Sequence, residues 1–193
     1  VTACLGVASA DAALALFVRV REELGEILSA FELMPRAGLE LHFAHLGGGR
    51  EPFEPLTPWL VLMEADCASR HIDLNAVFEL VLTELMHENL VLAGTLATSE
   101  AQRAQLWRLR EGMAQAMIAD KAAIKSDTAV PVAALTDFLR TADAAVQAIA
   151  PGCVPVPLGH IGDGNIHYNL LPPPHMCASD FMQHKRALFA AIE

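Results

Sequence analysis

The chain has 193 residues, 53% of them apolar and 19% charged, with a mean hydropathy of +0.35. That length and composition exclude wholesale disorder and allow a buried core without disulfide or metal staples. Thirteen Lys and Arg against 23 Asp and Glu leave a net charge of −10, which repels phosphate backbones and argues against nucleic-acid binding in general. Small anions still qualify as ligands, provided that a locally basic pocket receives them.

The chain opens at Val1 with the strand-like run V-T-A-C-L-G-V, without an initiator Met or a targeting pattern. Asp11 to Met34 carries apolar residues at helical spacing (Leu14, Phe17, Leu24, Ile27, Leu28, Phe31) and predicts one helix ending at Pro35. Ala37 to Leu46 predicts a short helix stopped by a flexible turn at Gly47, Gly48 and Gly49. Trp59 to Ala65 reads as a buried strand, Leu74 to Glu88 as a helix and Leu90 to Ala97 as a strand. Glu100 to Lys121 is the clearest helix, with Ser99 as its N-cap. A short strand over Ile124 to Val130 precedes a helix over Val132 to Ile149 and a strand from Val154 to His160. A strand–turn–strand follows, then three prolines at 172 to 174, then a helix from Ser179. The last residues, A-A-I-E, fall within that helical pattern, so both ends read as those of a fragment excised from a longer protein.

Helices alternate with strands, and one strand pair is joined by a tight turn. That predicts a single α+β domain over residues 1–193, an antiparallel or mixed sheet with helices packed on one face in a ferredoxin-like arrangement. The longest stretch without Asp, Glu, Lys or Arg runs from Ala144 to Gly162 and is broken by Pro151, Pro155 and Pro157, so no transmembrane segment is predicted. Four cysteines at 4, 67, 153 and 177 form no C-x-x-C, which argues for a reducing compartment over a disulfide framework; the expected setting is cytoplasmic, with a membrane-peripheral or organellar one as the alternatives.

The chemistry concentrates in L-G-H-I-G-D-G-N-I-H-Y-N-L, Leu158 to Leu170. Asp163-Gly164 is a favoured two-residue hairpin turn. Such a turn sets Ile161 opposite Ile166 and His160 opposite His167, with Cβ atoms roughly 4.5–5.5 Å apart. Two imidazoles so placed suit a shared metal ion, although a third ligand is needed to complete a site. Asn169 lies two residues beyond His167 and shares its face. A plain cross-strand His pair, solvated or in the core, is the competing reading.

A second cluster is cationic. On the helix from Glu100, Leu106, Met113 and Met117 form an apolar stripe, and Arg110 falls near its middle. A guanidinium on a core-facing stripe needs a partner, either an internal carboxylate or a bound acid. Lys125 opens the next strand and brings a second cation, so the pair suggests a small pocket for a substrate carboxylate.

The run G-H-I-G-D-G-N-I-H-Y-N at Gly159 to Asn169 resembles the H-x-G-D-G-N-x-H-x-N signature of FAD-linked oxidases. More narrowly, it is similar to the C-terminal substrate domain of the group that holds D-lactate dehydrogenase, D-2-hydroxyglutarate dehydrogenase and glycolate oxidase. P-W-L-V-L-M-E at Pro58 to Glu64, L-W-R-L-R-E at Leu106 to Glu111 and K-S-D-T-A-V-P at Lys125 to Pro131 match in the same order.

The resemblance implies a flavoprotein whose N-terminal domain binds FAD while this domain closes over a small 2-hydroxy acid, with a separate electron acceptor. It implies that His160 and His167 bind a divalent metal, zinc in this reading, that Arg110 and Lys125 neutralise carboxylates, and that Asn169 adds a hydrogen bond. The family's third metal ligand, a Glu, and the His beside it that serves as base lie downstream of the hairpin. No such pair follows Asn169 here, so these residues alone are expected to be inactive. Where some members carry a Thr one helical turn after the Arg, this chain has Ala114. Outside that family, the same residues suit a non-enzymatic α+β module with a structural metal-binding hairpin.

Overall fold

The computed structural model describes residues 1–47 and 50–192. Strand β1 (Thr2–Val7) is buried at all six positions and β3 (Trp59–Ala65) at six of seven. Because side chains alternate between the two faces of a strand, such runs demand cover on both sides.

The remaining strands are β2 (Leu28–Pro35), β4 (Ala93–Leu96), β5 (Thr128–Ala129), β6 (Val154–His160) and β7 (Asn165–Leu171). The helices are α1 (Ala10–Leu24), α2 (Arg36–Leu46), α3 (Leu74–His87), α4 (Glu100–Ala119), α5 (Leu135–Ile149), α6 (Ala178–Gln183) and α7 (Lys185–Ile192). Among the described residues, the seven strands form one antiparallel sheet in the order β4-β1-β3-β2-β6-β7-β5. Its first four strands, with α1 and α3 packed on one face, are the expected ferredoxin-like unit. The α+β class with an antiparallel sheet therefore stands, and β6, β7 and β5 extend that sheet beyond β2.

The helices cover both faces rather than one. Leu5, Leu33, Val61 and Met63 pack with Leu16 of α1, Phe78 of α3 and Leu139 of α5, whereas Cys4, Met34, Leu60 and Leu62 pack with Leu39 of α2 and Met113 of α4. The cause is in the strands, which lack a polar face: W-L-V-L-M-E-A offers apolar side chains alternately up and down. Helices α2 and α4 meet closely at Gly112, where a Cβ atom would enter the ring of His42.

The long helix expected over 11–34 is two elements. Helix α1 ends at Leu24, Gly25 takes a positive φ of 55°, and β2 begins at Leu28. Ile27, Leu28 and Phe31 fit a helical period by coincidence, but the glycine ends the helix and strand pairing on both edges of β2 decides the rest. Ser9 and Ser99 cap α1 and α4 by accepting hydrogen bonds from the backbone N–H groups of Ala12 and Gln102. The strand expected over Ile124 to Val130 contracts to β5 plus a single bridge between Ile124 and Leu170, and the last helix divides at His184. Gly47 ends α2 with a φ of 61°, while Gly48 and Gly49 of the expected turn lie outside the described residues. All four cysteines are free thiols, and no helix among the described residues is long and apolar enough to cross a membrane.

Candidate active site

The β6–β7 hairpin is built differently from the two-residue turn that its sequence suggests. Residues 161–163 form a 3-10 turn, and Gly164 follows in the left-handed region with φ 72°. Ile161 is fully buried in the core on the α1 side, so the connection spans four residues instead of two. His160 consequently pairs with Asn165, and His167 pairs with Leu158. The two histidines do not face each other directly, which corrects the expected register. The slip is by two positions, so both rings keep one face and become diagonal neighbours, roughly 7–8 Å apart at Cα. Asn169 shares that face and is 5% exposed.

Strand β2 lies on the other edge of β6 and sets Glu32 opposite His160. Glu32 is 1% exposed, yet each carboxylate oxygen has a partner. Oε1 lies 2.5 Å from His160 Nδ1, and Oε2 accepts a 2.8 Å hydrogen bond from Arg110 Nε on α4. Arg110 thus has the internal carboxylate partner that its place on the apolar stripe requires. His167 Nδ1 lies 3.4 Å from Asp127 Oδ1. In each histidine the carboxylate sits at Nδ1, the nitrogen through which neighbouring acceptors orient a metal-ligating imidazole while Nε2 faces the ion.

Beside the hairpin opens a cavity of about 430 Å³, lined by Lys125, Asp127, His167 and Asn169 together with apolar groups such as Ala114 and Met117. Its volume falls within the range of small-molecule sites. Lys125, His167 and Asn169 meet there. Arg110 and His160 meet at Glu32, one helical turn along α4 from Ala114. The segment carrying Lys125 is held to β7 by a 2.6 Å hydrogen bond from Ser126 Oγ to the Tyr168 carbonyl.

The two imidazoles, each with a carboxylate near Nδ1, are of a donor type that suits a divalent metal, but among the described residues no group of three or more His, Cys, Asp and Glu converges to hold one. His42, His45 and His175 stand elsewhere: His42 packs on Gly112, His45 reaches Asp120 at 3.7 Å, and His175 neighbours Gly152. For the flavin, none of the described strand-to-helix connections has the glycine-rich form that cradles a pyrophosphate.

Glu32 and Asp127 were not legible as site residues. A lone carboxylate inside L-S-A-F-E-L-M-P was the available signal, concealed by the helical reading of that segment. A third carboxylate, Glu64, explains much of the remaining pattern. It accepts hydrogen bonds from Thr2 Oγ1 (2.6 Å), Arg103 Nε and Nη2 (2.8 and 2.7 Å) and Trp107 Nε1 (2.9 Å). The matching stretches around Glu64 and Trp107 therefore tie α4 to the sheet, which positions Arg110.

The family of FAD linked oxidases, C-terminal domain, matches residues 1–184. A D-2-hydroxyglutarate dehydrogenase of Xanthomonas citri pv. viticola is 35% identical over 180 residues, covering 92% of this chain and 36% of that protein. The mitochondrial D-2-hydroxyglutarate dehydrogenase of Rattus norvegicus is 33% identical over 168 residues, covering 87% and 30% respectively. The chain thus spans about a third of the length of these relatives. The structure of p-cresol methylhydroxylase with substrate bound superposes with a TM-score of 0.62 at 7% identity, over 98% of this chain and 42% of that one, a likeness of fold. The chain belongs to the C-terminal-domain family of FAD linked oxidases. Its relatives are dehydrogenases, so the family is one of enzymes.

Proposed function

We propose that these residues form the substrate-binding domain of an FAD-dependent dehydrogenase that oxidises a D-2-hydroxy acid of the lactate, glycolate or 2-hydroxyglutarate type to the 2-oxo acid. The observation that carries this reading is the shared face of β6 and β7. It presents two imidazoles, each with a carboxylate near Nδ1, and one of them, His167, lines a cavity together with a lysine and a buried amide. The names of the relatives support the same substrate class.

Oxidation of the acid would release its hydroxyl proton to a base and its α-hydrogen together with two electrons. Bound FAD supplies the two-electron acceptor and is assigned to a separate flavin domain of the same polypeptide, with reoxidation by a further electron acceptor. In this domain Lys125 and Arg110 attract and orient the acid's carboxylate, and Asn169 gives it a hydrogen bond. His160 and His167 offer their Nε2 nitrogens to a divalent metal, zinc by its affinity for imidazole, which supplies Lewis acidity toward the substrate hydroxyl. A third ligand and the base come from outside the described residues.

The test uses the full-length flavoprotein. His160→Ala and His167→Ala are each expected to lose stoichiometric metal and to lower kcat/KM for hydroxy acids by at least about 100-fold. Full metal occupancy with normal turnover would remove the ligand assignment.

A further inference from the structure

We infer that Glu32 is a positioning residue that orients both halves of the site at once, the His160 imidazole and the Arg110 guanidinium. The inference rests on the function proposed above and deepens it. Glu32 comes from β2, outside the hairpin and outside α4, and is 1% exposed. A carboxylate with so little access to water needs partners within the protein: Oε2 accepts the hydrogen bond from Arg110 Nε, and Oε1 has the His160 Nδ1 atom 2.5 Å away. An ionised carboxylate only accepts hydrogen bonds, and Arg110 Nε only donates. The remaining oxygen is satisfied when His160 carries its proton on Nδ1. That tautomer leaves the Nε2 lone pair free for a metal. On the other side, the bond at Nε turns the inner edge of the guanidinium toward Glu32 and leaves its terminal N–H groups for an incoming carboxylate.

One buried group therefore couples two strands and a helix that are far apart in sequence: Arg110 is 78 residues from Glu32. Glutamine at this position is a near-isostere with the wrong pattern. Its carbonyl accepts from Arg110, but its NH2 donates, so His160 must present an Nδ1 lone pair and move its proton to Nε2, the nitrogen meant for the metal.

The experiment compares wild type and Glu32→Gln in the full-length flavoprotein. Zinc affinity measured by chelator competition is expected to fall about 10- to 100-fold. KM for the acid is expected to rise, with the flavin spectrum unchanged. In the metal-free proteins, 15N spectra of His160 are expected to change from Nδ1-protonated to Nε2-protonated on substitution. Wild-type affinity, KM and tautomer in Glu32→Gln would overturn the inference. If His160→Ala keeps its metal, the ligand assignment of the proposed function fails, yet the His160 tautomer in the Gln variant still decides the role of Glu32. Should Glu32→Gln not fold, Glu32→Asp keeps the charge but shortens the reach. It is expected to lose zinc affinity or raise KM, and wild-type values for both would overturn the inference.

Discussion

Replacing Glu64 by glutamine probes the buried tie that holds α4, and with it Arg110, against the sheet. Burial by itself raises the carboxyl pKa of Glu64. The hydrogen bonds from Arg103, Thr2 and Trp107 and the charge of Arg103 outweigh it and hold the group down at about 2, against 4.5 for an ordinary Glu. The sign follows from linkage. A group depressed in the folded state contributes stability above its unfolded pKa and loses it as pH falls through the folded value. The difference in pKa corresponds to at most about 3 kcal/mol at pH 7, roughly half of it gone by pH 3. Glutamine copies the shape of the protonated acid, so Glu64→Gln is expected to be less stable than wild type by about that amount at pH 7 and to converge on it as pH falls from about 4.5 toward 2. Urea unfolding of both proteins across pH 2–7, followed by far-UV circular dichroism, measures the gap directly. A gap that stays constant with pH would refute the reasoning, because the hydrogen bonds would then be insensitive to the charge on Glu64.

Two further outcomes are expected. Burial pushes the Cys4 thiol up to about 12, with Arg36 lowering it and Glu51 raising it, and the residue is 1% exposed. At pH 8 iodoacetamide should therefore label exposed Cys177 and spare Cys4 in the native protein, as read by mass spectrometry; equal labelling would contradict its burial. Gly164→Ala meets both a left-handed backbone, φ 72°, and the carbonyl oxygen of Val130, whereas Gly25→Ala meets only a positive φ of 55° in open space. Gly25→Ala is expected to cost about 1–2 kcal/mol and Gly164→Ala clearly more. Equal losses in thermal melts would show that the hairpin turn is not crowded as described.

Local chemistry accounts for what could be read directly. Ser99 and a long apolar period define α4; the uninterrupted apolar runs define β1 and β3; the G-D-G-N run marks the hairpin and its histidines. The position of Arg110 on an apolar stripe already required a partner. The identity of that partner was not legible, because Glu32 becomes its neighbour only through the sheet order that sets β2 beside β6. The hairpin register also escaped local reasoning. An Asp-Gly pair favours a tight turn, but burial of Ile161 against the α1-side core lengthens it and moves the histidines to a diagonal. Element type follows from periodicity and caps, which act within a few residues. Register and the pairing of buried charges follow from which apolar surface each segment covers, and only the assembled sheet decides that.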